Sequence, residues 1–540
     1  MTKMSKNLLF AGIIFVLFVL VDSVGLGRTG MLWDELAVAT NGETYIGYFK
    51  NLDFSQRNWS LNDEHPPLGK YIYGISRKIT KTVPFLVNLD PLYSPSTALT
   101  FSRFFSVLMG GLAVSALFLM TSQFFGQRVG FLSALFMATN PHFLAYTRIA
   151  CLEMPLLLFS LLFVWSFIYA IKNKKGPPLV GWNHIFGCKE WVLTALLLGA
   201  AISSRFNGVF LCFLFEAGLL LFYGKELFTK KHIWKAFLPA VSLLFLYLIW
   251  PWLWPHPIRN FFESIDRGME VHTKEYFLGR TNFSPFYYYF IYFMATAPIH
   301  QLFFFGAFGY FLIKEYLFKE KTFSKVSPLL IFIFLYFLTS FLASFVPLKQ
   351  DGIRYVQFFI PAFCILSAVG VSKVIRGFRF NGVRTRLGRV PTPRDWLWHF
   401  ILIGVVVVSF YIPFRFYPYY TNYYNGIFGS LESIVKNKTF EMGWWGEGSL
   451  EAVEKVNSVV KPGETVFVDF APGHTVPSFT EGVKNIKLWQ GEPDYIILNL
   501  FAKWYGDGDK TEAYIKERNY RLIYEVKVAK KVTIVWVYTK

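Results

Sequence analysis

The sequence predicts a polytopic α-helical membrane protein that ends in a small α/β domain. Of its 540 residues, 54% are hydrophobic and only 16% are charged, against about 25% charged residues in a typical soluble domain. The mean hydropathy is +0.38, and the chain contains 61 Phe, 30 Tyr and 16 Trp. One soluble core could not enclose so many apolar side chains, so much of this surface is expected to face lipid.

The distribution of charge supports the same class. A formal net charge of +19 would suggest a nucleic-acid partner in a soluble chain. The last 98 residues, however, contain 13 Lys and Arg against 13 Asp and Glu. The excess positive charge therefore lies in the apolar part of the chain, where it is typical of cytoplasmic loops. We expect membrane lipid, and no nucleic acid, as a partner.

Apolar stretches recur from residue 8 to residue 413. Because a spanning helix needs about 20 apolar residues, they predict about eleven spans. The short stretch 190–205 could instead form half of a broken hairpin with the next one. The first stretch follows Lys3 and Lys6 and has no convincing cleavage site, so we interpret it as an uncleaved span. The predicted spans lie near residues 8–26, 103–123, 129–146, 152–171, 190–205, 208–224, 236–254, 286–313, 327–346, 355–372 and 396–413.

Basic residues predict the orientation of these spans. The loop from Lys373 to Arg394 contains seven Lys and Arg, and the basic segments near Lys172, Lys225 and Lys314 fall on the same side as the N-terminus. Positive charge marks cytoplasmic loops. We therefore expect a plasma-membrane protein with a cytoplasmic N-terminus and an extracytoplasmic C-terminal domain.

The predicted division is a transmembrane module over residues 1–430, with a large first outer loop at 27–101, and an extracytoplasmic α/β domain over 431–540. The C-terminal part gains charged residues, Gly and Pro and shows the alternation of apolar and polar residues that is typical of strands. It contains no glycine motif for a nucleotide phosphate. The strand-like runs are Thr465–Asp469, Tyr495–Leu498 and Val532–Tyr538, and Leu450–Val459 is a plausible helix.

Two adjacent carboxylates, Asp34 and Glu35, follow the first span. Close to lipid they repel each other, which raises the proton affinity of at least one of them. A carboxylate in that state can act as a general base. An acidic helix start in a solvated loop would show the same pattern.

The same loop contains Asp63, Glu64 and His65, followed by Pro-Pro-Leu-Gly and Lys70. The two prolines impose an extended backbone that holds His65 and Lys70 apart, and Lys70 is then available to a phosphate. Two acids beside an imidazole also suggest a divalent metal, but their spacing fits no standard metal-binding loop. The alternative is a Pro-rich loop with solvated charges.

Further charged residues fall at the predicted outer ends of spans. Arg148, at the membrane edge, needs an anionic partner, which could be Asp34, Glu153 or a lipid phosphate. Arg205 and Arg354 oppose the positive-inside bias, and an anionic headgroup on the outer side would explain them. For Arg205 and Arg354, the alternative is that they extend to lipid phosphates. Glu153 lies two residues before Pro155, where a helix N-terminus also favours an acid.

In combination these residues resemble the GT-C glycosyltransferases of the protein O-mannosyltransferase and aminoarabinose-transferase superfamily. The likeness covers about residues 8–430, and the His-Pro-Pro-Leu-Gly-Lys string is closer to the protein mannosyltransferases. Glu153 stands where many members have Asp, and the outer loop 255–285 is too short for the MIR domains of eukaryotic members. The matching features are Asp34-Glu35 after the first span, His65 to Lys70, Arg148 with an acid five residues later, and Arg354-Tyr355 opening a late span.

The resemblance implies an inverting enzyme that transfers mannose or a similar hexose from a polyprenyl-phosphate donor to a protein Ser/Thr hydroxyl. The alternatives are a glycolipid acceptor and a transporter or flippase of an anionic lipid. A transporter would place ionisable groups at mid-membrane, so their position at span ends favours the enzyme. No cofactor is certain, and a divalent metal stays open. The predicted site comprises Asp34 and Glu35 in catalysis, Lys70, Arg148, Arg205 and Arg354 on the donor phosphate, and His65, Glu153, Asp63 and Glu64 in support.

Overall fold

A computed structural model describes residues 3–87, 99–173, 189–270, 275–281, 285–317, 327–345, 351–378, 384–385, 388–389 and 393–540. Most of these residues are helical. In chain order the helices are α1 (Lys3–Asp22), α2 (Glu35–Lys50), α3 (Gln56–Trp59), α4 (Leu68–Thr82), α5 (Pro84–Val87), α6 (Thr100–Phe125), α7 (Gln127–Ala138), α8 (Pro141–Thr147), α9 (Glu153–Lys172), α10 (Lys189–Ser204), α11 (Phe210–Tyr223), α12 (Leu238–Ile249), α13 (Pro257–Glu270), α14 (Tyr288–Thr296), α15 (Ile299–Leu317), α16 (Pro328–Ser340), α17 (Ile360–Phe378), α18 (Pro393–Phe416), α19 (Leu431–Lys436), α20 (Ser449–Asn457), α21 (Leu500–Tyr505) and α22 (Gly508–Glu517).

The predicted multi-pass helical class is confirmed. Within the described ranges, seven helical segments are long and apolar enough to cross a bilayer, or eight if the bent pair α14–α15 counts as one. This is fewer than the eleven predicted spans, because several apolar stretches form helices too short to cross alone. Much of the basic loop from Lys373 to Arg394 lies outside the described residues, so the orientation stays a prediction.

Proline explains two of these differences. The predicted span 286–313 is two helices, α14 and α15, that meet at an angle of 118°. Pro298 lacks an N–H group and disfavours helix at the residue before it, and Ala297 is accordingly extended, with ψ 138°. The predicted span 129–146 is α7 followed by α8. There Asn140 caps the new helix by accepting from the Phe143 N–H at 3.1 Å, and Pro141 follows the cap.

The first loop folds into two helices, α2 and α4, that touch backbone to backbone. A Cβ atom placed on Gly42 would lie 1.8 Å from the Lys70 carbonyl oxygen, and one on Gly74 would lie 2.2 Å from the Gly42 carbonyl carbon. Only glycine permits this approach. The contact holds the N-terminal end of α2, and with it Asp34, next to the turn that precedes α4.

The C-terminal region contains a five-stranded sheet in the order β6 (Lys484–Asn485), β5 (Thr465–Asp469), β7 (Tyr495–Asn499), β9 (Val532–Thr539) and β8 (Arg521–Val528). Strand β7 is parallel to β5 and antiparallel to β9. Its alternate residues contribute to two apolar clusters, because neighbouring side chains of a strand point to opposite faces. The other described strands form two short hairpins, β1 (Tyr276–Phe277) with β2 (Arg280–Thr281) and β3 (Arg384–Thr385) with β4 (Gly388–Arg389).

The sheet region packs directly on the first loop. The Trp33 N–H donates to the Trp445 carbonyl at 3.0 Å, and the Trp33 carbonyl lies 2.9 Å from Nε2 of His474. The Trp33 ring also meets the Phe501 ring edge-on, with centroids 6.3 Å apart. These contacts close one side of the site described next. The predicted domain division at residue 430 stays a prediction.

Candidate active site

A cavity of about 230 Å³ lies where the first loop, the starts of α9 and α17 and the C-terminal region meet. Its lining is acidic: among the described residues it includes four carboxylates and one guanidinium. Large aromatic side chains complete its wall. The carboxylates are Asp34, Glu64, Asp351 and Glu441, the guanidinium is Arg354, and the aromatic residues are Trp33, Tyr355, Trp444, Trp445 and Phe501.

A chain of ion pairs runs from the cavity into the protein. Nη2 of Arg354 donates to the carboxylate of Asp34, and Nε of Arg354 donates to Glu153. Nη1 of Arg205 donates to the same oxygen of Glu153. The Asp34 side chain is 32% exposed, whereas that of Arg354 is 6% exposed. Asp34 is therefore the member of this network that is most accessible from the cavity.

Local structure explains the inner part of the network. Glu153 is the first residue of α9, where the helix dipole favours negative charge. It is fully buried between two guanidinium groups, which supply the opposite charge that a buried carboxylate requires. Arg205 also stacks on the Tyr355 ring, 4.4 Å from its centroid. Nε and Nη2 of Arg205 make no hydrogen bond within the described ranges, so they are available as donors.

Glu35 occupies a different position from the one predicted beside Asp34. It is fully buried, and its carboxylate pairs with Arg103 at 2.6 Å and accepts from the Leu32 and Ala150 N–H groups at 2.8 and 3.0 Å. Consecutive residues at a helix start point about 100° apart, so Glu35 points into the core while Asp34 faces the cavity. This placement does not support a catalytic role for Glu35.

Arg103 is a structural residue that the sequence analysis missed. Besides Glu35, it donates to the Leu26 carbonyl at 2.7 Å and to Oγ1 of Thr29 at 3.0 Å. It thereby fixes the segment between α1 and Asp34. Like Arg205 and Arg354, it lies at the end of an apolar span, so the same departure from the positive-inside bias could have identified it.

Arg148, predicted to bind the donor phosphate, does not line the cavity. It donates to the carbonyl groups of Val24 and Gly25 at 2.8 and 2.9 Å, and it pairs with Asp22 at 3.4 Å. Carbonyl groups beyond the end of a helix lack helical partners, and Arg148 satisfies those that follow α1. Its contacts are structural, and its predicted phosphate contact has no support from this position.

Lys70, also predicted to bind the donor phosphate, does not line the cavity. It is buried, and Nζ donates to the His65 carbonyl at 2.8 Å and to the Asn62 carbonyl. Burial lowers the pKa of Lys70 to about 7, against the opposing effect of Glu64 and Asp63. Lys70 thus closes the turn whose residues Asn62, Glu64 and His65 line the cavity.

Asp63, in the same turn, points away from the cavity. Its Oδ2 atom lies 2.6 Å from Nη1 of Arg267 in α13. Burial raises the pKa of Asp63, and Arg267 opposes that effect. Of the predicted supporting residues, His65 and Glu64 therefore face the cavity, whereas Asp63 joins the turn to α13.

The C-terminal region contributes residues to the site that were not predicted from the sequence. Glu441, Trp444 and Trp445 lie in a short segment that the structure inserts into the cavity wall. The signal available was a pair of tryptophans between glycines, Gly443 and Gly446, a composition unusual for the start of a soluble domain. In the described ranges, no group of three or more His, Cys, Asp or Glu residues is arranged to hold a metal ion.

Residues 33–257 match the profile of the family described as dolichyl-phosphate-mannose-protein mannosyltransferase. The resemblance to the GT-C glycosyltransferases is confirmed. Over 234 residues the chain is 28% identical to dolichyl-phosphate-mannose–protein mannosyltransferase 1 of Saccharomyces cerevisiae, an alignment that covers 41% of this chain and 27% of the yeast protein. The chain thus spans about a quarter of the curated relative that it matches. The matched residues 33–257 include Asp34, Glu153 and Arg205, whereas Arg354 lies beyond them.

The fold is similar to that of a solved archaeal structure. Archaeal oligosaccharyltransferase AglB from Archaeoglobus fulgidus, in complex with an inhibitory peptide and a dolichol-phosphate, superposes with a TM-score of 0.50 at 12% identity, covering 96% of this chain and 73% of AglB. ArnT from Cupriavidus metallidurans, bound to undecaprenyl phosphate, has a TM-score of 0.49 at 12% identity and 97% coverage of both chains. At such identity the similarity to AglB concerns the fold.

Proposed function

We propose that this protein is a membrane glycosyltransferase that transfers mannose or a similar hexose from a polyprenyl-phosphate donor to a Ser/Thr hydroxyl of a protein. The observation that carries the proposal is the Asp34 carboxylate, which faces the cavity at the exposed end of a buried Arg–Glu–Arg network. Asp34 lies in the region that matches the mannosyltransferase family, whose description names a lipid-linked mannose and a protein.

In the proposed reaction, Asp34 takes the proton of the acceptor hydroxyl. The hydroxyl oxygen forms a bond to the anomeric carbon from the face opposite the phosphate. The bond between that carbon and the phosphate oxygen breaks, and its electron pair leaves with the carrier phosphate, so the anomeric configuration inverts. A positioned base contributes about 10²- to 10⁴-fold in rate.

The departing phosphate needs a cation, and Arg354 is the guanidinium that lines the cavity in the described ranges. We propose that the donor phosphate replaces Asp34 as the partner of Nη2 of Arg354. The Asp34 carboxylate is then free to act as the base. The Nε contact with Glu153 would keep the guanidinium in place. Arg205, whose Nε and Nη2 make no hydrogen bond within the described ranges, adds a second positive charge beside the shared Glu153.

The proposed setting is the plasma membrane, with the N-terminus in the cytoplasm and the cavity on the outer side. Basic loops favour this orientation. In this orientation we expect the cavity at the outer edge of the bilayer, where the phosphate of a lipid-linked sugar lies.

The proposal is tested with purified protein, a panel of polyprenyl-phosphate sugars and a Ser/Thr-rich peptide. We expect the peptide to gain one hexose at a hydroxyl oxygen, detected by mass spectrometry, while the carrier phosphate is released. Transfer to a lipid instead would indicate the glycolipid acceptor. Movement of intact lipid-linked sugar across vesicles, with no bond broken, would overturn the enzymatic assignment in favour of a transporter.

A further inference from the structure

We infer that Trp445 is a positioning residue for the pair Asp34–Arg354, an inference that rests on the proposed function of that pair. Trp445 contacts Arg354 directly and also contacts the residue that precedes Asp34. The guanidinium carbon of Arg354 lies 4.7 Å from the centroid of the Trp445 ring. The Trp445 carbonyl accepts the N–H of Trp33 at 3.0 Å, and Trp33 directly precedes Asp34.

The Trp445 ring is itself held in place. It is 1% exposed, and its edge meets the Tyr146 ring with centroids 5.8 Å apart. A guanidinium over an indole face is attracted by the ring quadrupole, most strongly where water is excluded. The ring therefore restrains Arg354 without competing with the carboxylates for its N–H donors.

Glu447 fixes the backbone that carries this ring. Its carboxylate is buried and accepts from the Trp445 N–H at 2.9 Å, from Nδ2 of Asn422 at 3.2 Å and from the Thr421 hydroxyl. Oδ1 of Asn422 in turn accepts the Gly443 N–H at 2.7 Å. These bonds tie the Trp445 segment to the chain that follows α18.

Gly446 adds a steric constraint. Its φ of +100° favours glycine, and a Cβ atom there would lie 2.6 Å from Oγ1 of Thr475. Gly446 therefore permits a turn after Trp445 that a residue with a side chain would strain.

This arrangement predicts how activity depends on Trp445. A misplacement of about 1 Å in a catalytic group can lower the rate about 100-fold. Trp445→Leu removes the ring face, so we expect kcat to fall about 10- to 100-fold with KM changed less than about threefold. Trp445→Phe keeps an aromatic face and should lose about threefold to tenfold. Trp489→Leu is the matched control, because Trp489 is 82% exposed in the same region.

A double-mutant cycle tests whether Trp445 affects kcat through Arg354. If Trp445 acts through Arg354, then Trp445→Leu should lower kcat in the wild-type background and have less than about a twofold further effect in Arg354→Lys. An equal loss in both backgrounds, or a wild-type kcat in Trp445→Leu, would overturn the inference while the proposed function stands.

The same cycle on thermal unfolding covers the case in which wild type and Trp489→Leu both fail to transfer sugar. If neither protein transfers sugar, the proposed function is rejected, but the contact between Trp445 and Arg354 can still be tested by its effect on stability. Shifts in melting temperature of Trp445→Leu and Arg354→Gln that are not additive would then support the positioning of Arg354 by Trp445, and additive shifts would overturn it.

Discussion

The guanidinium of Arg354 donates to the carboxylate of Asp34, although the two residues are 320 positions apart in the chain. One comes from the start of α2 and the other from the turn that leads into α17. Both residues line the cavity, and the acid stays partly accessible. The predictions below separate residues that react from residues that hold the site together.

Asp34→Asn should abolish transfer while the protein still folds. The amide keeps the size of the side chain and can accept a hydrogen bond from Arg354, but it cannot take a proton from a hydroxyl. We expect a loss of about 10²- to 10⁴-fold in kcat, with donor binding retained, measured by single-turnover transfer and by equilibrium binding of the donor. Wild-type rates in this variant would remove Asp34 as the base.

Glu153→Gln should act mainly on stability. It leaves Arg205 and Arg354 close together without their shared carboxylate, a change that costs about 3–5 kcal/mol for a buried ion pair. Thermal unfolding in detergent measures the effect. Glu263→Gln is the matched control, because Glu263 pairs with Arg259 on an exposed surface of α13 and such pairs contribute about 0.3–0.5 kcal/mol. Equal shifts for both variants would contradict the buried network.

Glu35→Gln should resemble a core substitution rather than a catalytic one. It weakens the buried pair with Arg103 and places an amide NH₂ group against N–H donors, so the melting temperature should fall. The kcat of the folded fraction should stay within about fivefold of wild type, far from the loss of about 10² or more expected for a missing base. A rate as low as that of Asp34→Asn, at unchanged stability, would instead support the predicted catalytic role of Glu35.

Lys70 should make stability depend on pH above neutrality. Its pKa is about 7 in the folded protein and 10.5 without burial. Between these values the unfolded chain binds more protons, so stability rises with pH over that interval, by up to about 1.4 kcal/mol per pH unit. Melting temperatures from pH 7 to 10 should therefore rise more steeply for wild type than for Lys70→Met. Parallel curves would show that Lys70 is charged in the fold.

Several features of the molecule could be predicted from local sequence. The apolar stretches located most of the long helices, because a bilayer requires length and hydropathy that are visible in any window of the chain. Alternation located β5, β7 and β9. Positive charge at outer span ends selected Arg205 and Arg354, the adjacent carboxylates selected Asp34, and the helix start before Pro155 selected Glu153. The structure joins these four residues in one network.

Other features required the fold. Glu35 and Asp34 are neighbours in sequence, yet one contacts Arg103 in the core and the other Arg354 at the cavity. Arg148 and Lys70 have the charge for a phosphate site, but backbone carbonyl groups surround them. The chemical type of a side chain does not reveal which of several partners lies within reach.

By itself, then, the sequence determined the membrane class, the approximate helices and the chemical groups available for a reaction, since these depend on composition and short-range periodicity. Only the tertiary structure decided that Trp445 meets Arg354 and that Glu35 turns inward. Contacts between residues hundreds of positions apart depend on the packing of whole helices, and a change of about 100° in direction between adjacent residues separates the carboxylate that we propose as the base from one that pairs in the core.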